Sequence, residues 1–178
     1  MKGLCYSALS YAPLFIDKSV IVIGDEDLAL RSEGELSTIA KEVTMICAND
    51  KLMDTPLGKK LQAAGNVKII KDCEIVEVKG DKFARKLVLN DSTGKRSELE
   101  ADGMFVEKAL TPNTNMVKGL VELDEQGRVI IDCGCRTSVP GLFAAGDVTN
   151  NYQEQVLVAV GEGAKASLSA YEYLLPQL

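Results

Sequence analysis

The sequence predicts an α/β fold: a three-layer domain built on a parallel sheet, with an antiparallel meander inserted, followed by a smaller C-terminal segment. Three observations carry that prediction. Two β-branched apolar runs, residues 19–24 and 42–47, flank a stretch of helical spacing, the pattern of a strand–helix–strand unit. Between residues 73 and 106 the pattern changes to alternating strands separated by polar turns, as antiparallel hairpins require. Further on, Val139-Pro140-Gly141 turns into a short apolar run, Leu142 to Ala145, that stops at Gly146-Asp147.

The elements follow in order. Ser19-Val20-Ile21-Val22-Ile23-Gly24 reads as a buried parallel strand. Residues 25–40 read as a helix with Leu28, Leu36 and Ile39 on one side and acidic residues in the first turn. A second strand is expected over 42–47, a second helix within 51–64 and a third strand over 67–70. The meander runs through 74–79, 84–90 and 97–100, with turns at Gly80-Asp81 and Asp91-Ser92-Thr93-Gly94. Met104-Phe105-Val106 adds one more buried strand. Leu110-Thr111-Pro112-Asn113-Thr114-Asn115 is the best linker, because proline and asparagine break any element there. The domains are therefore expected at 1–112 and 113–178. The second holds a short hairpin over 121–131 and a closing helix over about 154–175. Val156, Val160, Ala164, Leu168, Tyr171 and Leu175 form one stripe of that helix, which needs a covering surface.

Composition excludes several classes. With 20 basic against 26 acidic residues, the net charge of −6 argues against nucleic acid, whose phosphates require clustered Lys and Arg. No apolar run is long enough to span a bilayer, so no membrane association is expected. Lys2 and the stretch after it imitate a leader peptide, but two tyrosines and three other polar residues make it a poor one. Five cysteines without framework spacing suit free thiols in a reducing compartment, and the expected location is cytoplasmic. The absence of histidine removes the commonest general base and metal ligand, so Ser7, Ser10 and Asp147 cannot complete a hydrolase triad. No metal site is expected. Cys133-Gly134-Cys135 could hold a metal or a strained disulfide, against the plainer reading of two unpaired thiols.

The string from Thr137 to Val148, with Gln155-Val156 and Gly161-Glu162-Gly163 beyond it, resembles the FAD-binding C-terminal segment of flavin-dependent pyridine nucleotide-disulfide oxidoreductases, thioredoxin reductases above all. The resemblance runs from Gly3 to the last helix. It implies a Rossmann-type, nucleotide-binding-like domain followed by a partial FAD domain. It also implies cofactor contacts at Gly146, Asp147, Glu154, Gln155 and Val156, with Asp147 on the flavin's ribityl-phosphate arm and Gln155-Val156 facing the isoalloxazine. Glu154 stands where relatives often carry arginine, and is expected to weaken those contacts.

Three departures accompany the resemblance. The family's redox frame, G-x-x-Y-C-A-x-C, reads Gly3-Leu4-Cys5-Tyr6-Ser7-Ala8-Leu9-Ser10 here. Ser7 and Ser10 occupy the cysteine positions, and a hydroxyl cannot exchange disulfides. The nucleotide turn reads Gly24-Asp25-Glu26-Asp27-Leu28-Ala29, with Glu26 in place of the second glycine and three carboxylates where phosphates would lie. The arginine clamp expected after the next strand is replaced by Cys47-Ala48-Asn49, with Lys51 the nearby cation. These departures argue against NADPH and leave no catalytic residue at the redox frame.

Two functions remain open. One is a thioredoxin-reductase-like flavoprotein chain, inactive by itself, that needs a homodimer mate or a separate chain supplying the N-terminal FAD-binding segment. The other is a catalytically inactive scaffold or interaction protein.

Overall fold

The computed structural model describes residues 2–46, 51–108 and 110–177. Two compact units make up the chain, Met1–Ala109 and Leu110–Leu178, with Pro112 and Asn113 inside the second.

The first unit begins with β1 (Leu4–Cys5), a strand that the sequence did not announce. It continues through α1 (Ala8–Tyr11), a 3-10 turn at Ala12–Phe15, and β2 (Ser19–Ile23). Then come α2 (Asp27–Ser37), β3 (Glu42–Ile46), α3 (Pro56–Gln62) and β4 (Val67–Ile70). β5 (Cys73–Gly80), β6 (Ala84–Asp91) and β7 (Arg96–Glu100) form the antiparallel meander, and β8 (Gly103–Val106) returns to the parallel sheet. Among the described residues the sheet order is β1-β8-β2-β3-β4, all parallel.

The alternation of side chains along β2 shows why there are three layers. Val20 and Val22 join Val43, Met45 and Phe105 against the helices, where Ala29, Leu30, Leu36 and Leu61 cover them. Ile21 and Ile23 point the other way, with Met104, onto Leu87 and Leu89 of the meander. A sheet buried on both faces needs continuous apolar strands, which is what the β-branched runs supply.

One detail of this unit differs from expectation. α2 buries Ala29, Leu30, Glu33 and Leu36; of the expected residues Leu36 is buried and Ile39 packs against the core, whereas Leu28 is exposed. The helix expected within 51–64 is present as α3. A 3-10 turn at Lys51–Asp54 precedes Thr55, whose hydroxyl accepts the Gly58 N–H at 3.1 Å, and Pro56 opens α3.

The second unit is mostly loop. The expected hairpin is present, closed by the Asp124 N–H on the Arg128 carbonyl and the Ile130 N–H on the Glu122 carbonyl. The run from Leu142 to Ala145 is not a buried strand. It is half-buried and makes one antiparallel bridge, Phe143 to Arg136, so no ladder builds along it. The closing helix α4 spans Val156–Leu174 and ends in a 3-10 turn. Its predicted stripe is exposed along its length, from Val156 at 78% to Tyr171 at 60%.

Candidate functional site

The Gly146-Asp147 turn is built against the start of α4. Gly146 has φ +81°, a left-handed conformation in which L side chains are strained, and a Cβ there would lie 3.3 Å from the Cβ of Ala159. Its N–H donates to Glu162 Oε2 at 2.7 Å. Ala159 and Glu162 lie in the first two turns of α4, so the buried glycine seats the turn on the helix while Asp147 stays exposed. The Thr149 hydroxyl, buried, closes the turn by donating to the Gly146 carbonyl at 2.7 Å.

Gln155 is the N-cap residue of α4 and makes no side-chain cap bond. The first N–H groups of a helix carry partial positive charge, and those without a cap are open to an electron-rich ligand. Val156 begins the helix and is exposed; Gln155 is half-buried. Glu154 is engaged elsewhere. Its carboxylate pairs with the Arg128 guanidinium at 3.0 Å, both side chains being largely buried, and Arg128 also donates to the Asn151 carbonyl. The structure thus brings Gly146 together with the opening of α4 and commits Glu154 to a bond within the chain. Arg128 gave no sequence signal, since it is a lone cation in a turn.

Ser7 and Ser10 have become a helix cap. The Ser10 N–H donates to Ser7 Oγ at 3.4 Å, and the two hydroxyl oxygens are 3.3 Å apart. The adjacent Ala8 N–H donates to Glu107 Oε1 at 2.9 Å, with Glu107 itself 1% exposed. Burial pushes the Glu107 carboxyl above its usual range, and hydrogen bonds from Ser32 and Ala8 hold it down in part. Glu107 directly follows the strand expected over 104–106, and nothing in the sequence signals its burial. Lys108, beside it, is exposed.

The nucleotide-type turn keeps its packing glycine. A Cβ on Gly24 would collide with the Glu107 carbonyl and lie 2.6 Å from the Cβ of Ala29, so the first and last positions of the motif still bring strand and helix together. Glu26 is the N-cap of α2 without a side-chain cap bond, and Asp27 occupies the first turn. Cys47, Ala48 and Asn49, at the expected clamp, lie outside the described residues. Among the described residues no cluster of three or more His, Cys, Asp or Glu side chains could hold a metal, and no helix is long and apolar enough to cross a membrane.

A parallel sheet between helices and a meander, with a Gly-Asp turn seated on a long helix, defines a Rossmann-like α/β protein of the dinucleotide-binding class. Residues 5–163 match the family described as pyridine nucleotide-disulphide oxidoreductase, and the chain belongs to that family. An alkyl hydroperoxide reductase component of Pseudomonas aeruginosa is 41% identical over 177 residues, covering 98% of this chain and 34% of that protein. An NADH dehydrogenase of Bacillus subtilis is 36% identical over 176 residues, with 98% and 35% covered. The crystal structure of thioredoxin reductase from Streptococcus pyogenes superposes with a TM-score of 0.87 at 32% identity, covering 98% of this chain and 58% of that one. The chain therefore spans about a third of the length of these curated relatives.

Proposed function

We propose that this chain supplies the nucleotide-fold unit and the C-terminal flavin-side segment of a thioredoxin-reductase-like flavoprotein, with FAD as cofactor. The observation that carries this reading is the Gly146-Asp147 turn held on the uncapped first turn of α4. The donor set suits the group. An exposed carboxylate at Asp147 can accept a hydroxyl from a polyol arm, and the N–H groups opening α4 after Gln155 and Val156 suit the electron-rich edge of a ring. Glu154, fixed by Arg128, steadies the backbone leading into Gln155. Bound FAD would supply two-electron chemistry that Ser7 and Ser10 cannot.

A flavin site of this kind needs a second half, a strand and helix with a G-x-G-x-x-G turn. On this reading that half is carried by another polypeptide or by another part of a longer one, and it covers the exposed stripe of α4. Pairing of two copies is the alternative cover. NADPH is not the donor through residues 24–29, because Glu26 and its neighbouring carboxylates repel phosphates at the start of α2.

The test is the visible spectrum of the purified chain after incubation with FAD and gel filtration, alone and co-expressed with a G-x-G-x-x-G segment from a relative. Flavin retained in either preparation and lost in Asp147→Ala supports the reading. No flavin in both preparations, or equal retention in Asp147→Ala, overturns it. The second reading, a catalytically inactive scaffold, is favoured by the use of Ser7 as a helix cap, and would then stand.

A further inference from the structure

The loop from Asp132 to Arg136 carries two free cysteines with opposite environments. Cys133 is exposed, while Cys135 is fully buried. The loop is a tight three-residue hairpin turn. The Asp132 N–H donates to the Arg136 carbonyl and the Cys135 N–H to the Asp132 carbonyl, each at 3.0 Å. Asp132 Oδ1 accepts the N–H groups of Gly134 at 2.8 Å and Arg136 at 2.9 Å, which pins the backbone on both sides of Cys135. In such turns the last loop residue is left-handed and is usually glycine. Here it is Cys135, with φ +61°, and its Sγ donates to the Glu162 carbonyl at 3.5 Å.

Two residues i and i+2 have Cα atoms at most about 7.6 Å apart, and a turn brings them closer, into the roughly 4.4–6.8 Å that a disulfide spans. The backbone spacing of the pinned turn is therefore compatible with a disulfide, with Cys133 open to solvent and the Cys135 thiol sheltered on the Glu162 carbonyl, from which it must rotate to reach Cys133. Burial pushes the Cys135 thiol up, with Lys165 opposing and Glu162, Asp132 and Cys133 adding to the rise. Cys135 is therefore poorly suited to attack first, and well placed to act second once a sulfur is delivered beside it.

We propose that Cys133 and Cys135 are a thiol–disulfide exchange pair that reduces small, solvent-borne disulfides. The Cys133 thiolate attacks one sulfur of a disulfide R–S–S–R. That bond breaks, RS⁻ leaves and takes up a proton, and Cys133 carries the group R–S as a mixed disulfide. Cys135 then gives up its proton and attacks Cys133 Sγ, expelling the second RS⁻, which is protonated in turn. The two cysteines supply both electrons and both protons, ending as the Cys133–Cys135 disulfide beside two molecules of RSH. This chemistry is independent of any flavin and lies outside the Ser7–Ser10 frame.

The test uses the full chain, reduced, desalted and exposed to glutathione disulfide without oxygen. Released glutathione is counted and the peptide containing residues 132–136 is mapped by mass spectrometry, which separates this pair from the other cysteines. The wild-type chain is expected to form the Cys133–Cys135 disulfide and release two glutathiones at that pair. Cys135→Ser should stop at a stable glutathione adduct on Cys133. Cys135→Gly should do the same, and it suits the left-handed backbone should the serine variant fail to fold. Cys133→Ser should react at Cys135 at least about tenfold more slowly than the wild type does at Cys133, because the remaining sulfur is buried. A wild-type adduct that persists on Cys133, or a Cys133→Ser variant modified at Cys135 as fast as the wild type is at Cys133, overturns the proposal.

Discussion

Glu33 has no exposed surface, and neither of its carboxyl oxygens has a hydrogen-bond partner. It shares a stripe of α2 with Ala29 and Leu36, at i, i+4 and i+7, and both of those belong to the core between the helices and the sheet. An ionised carboxylate without a partner is costly there, and desolvation pushes the Glu33 carboxyl from 4.5 up to about 8. The folded protein thus keeps a proton that the unfolded chain releases above pH 4.5. Relative stability is full below that pH, falls by about 1.4 kcal/mol per pH unit above it, and levels off once Glu33 ionises near pH 8. The total loss is roughly 5 kcal/mol, of which about 3–4 falls between pH 5 and pH 8. Glu33→Met keeps a similar volume and helix propensity while removing the charge. Urea unfolding followed by circular dichroism, in wild type and Glu33→Met, should show a stability difference that widens by those 3–4 kcal/mol from pH 5 to pH 8. Glu33→Gln should lack the pH-dependent part and keep the cost of buried polar atoms without partners. A difference curve that stays flat over this range would refute the reasoning, because it would mean that Glu33 ionises in the folded state as easily as in the unfolded chain.

Two further predictions concern the candidate sites. Gly146→Ala places a Cβ on a left-handed backbone and against Ala159, and should destabilise the second unit by about 1–2 kcal/mol. Amide exchange at Thr149, whose N–H donates to the Gly146 carbonyl, should rise accordingly, and unchanged protection there would contradict the proposed seating on α4. The double variant Ser7→Cys, Ser10→Cys should close a disulfide on mild oxidation, since the native hydroxyl oxygens are already 3.3 Å apart. Two thiols that stay titratable at those positions after oxidation would show that the frame has lost the geometry of a redox pair.

Periodicity in the sequence carried most of the first unit. The β2 run Val20-Ile21-Val22-Ile23 is apolar on both faces because one face meets the helices and the other the meander, and that double burial is what its composition reported. The polar turns of the meander were legible for the same local reason. Where periodicity misled, a single residue explains it. The inward stripe of α2 has Glu33 at its centre, so the apolar pattern reads as Leu28, Leu36 and Ile39, although Leu28 is exposed. Leu142 to Ala145 failed differently: its apolar residues suggested a strand, but among the described residues Phe143 makes an isolated bridge to Arg136 while its ring lies edge-on to Tyr173, and a strand requires a ladder that no local pattern encodes.

The site follows the same division. Gly146-Asp147 was visible because a left-handed glycine before a carboxylate is a local device. The bonds that give it a setting, Gly146 to Glu162 and Arg128 to Glu154, join residues 16 and 26 positions apart, and no spacing rule finds them. Glu162 does two things at once. Its carboxylate holds the Gly146 N–H and its carbonyl receives the Cys135 thiol, so one residue of α4 links the candidate flavin turn to the two-cysteine loop. Forming the Cys133–Cys135 disulfide removes the Cys135 thiol proton and with it the hydrogen bond to the Glu162 carbonyl. Any change in how Gly146 is held would then reach Asp147 through a single peptide bond.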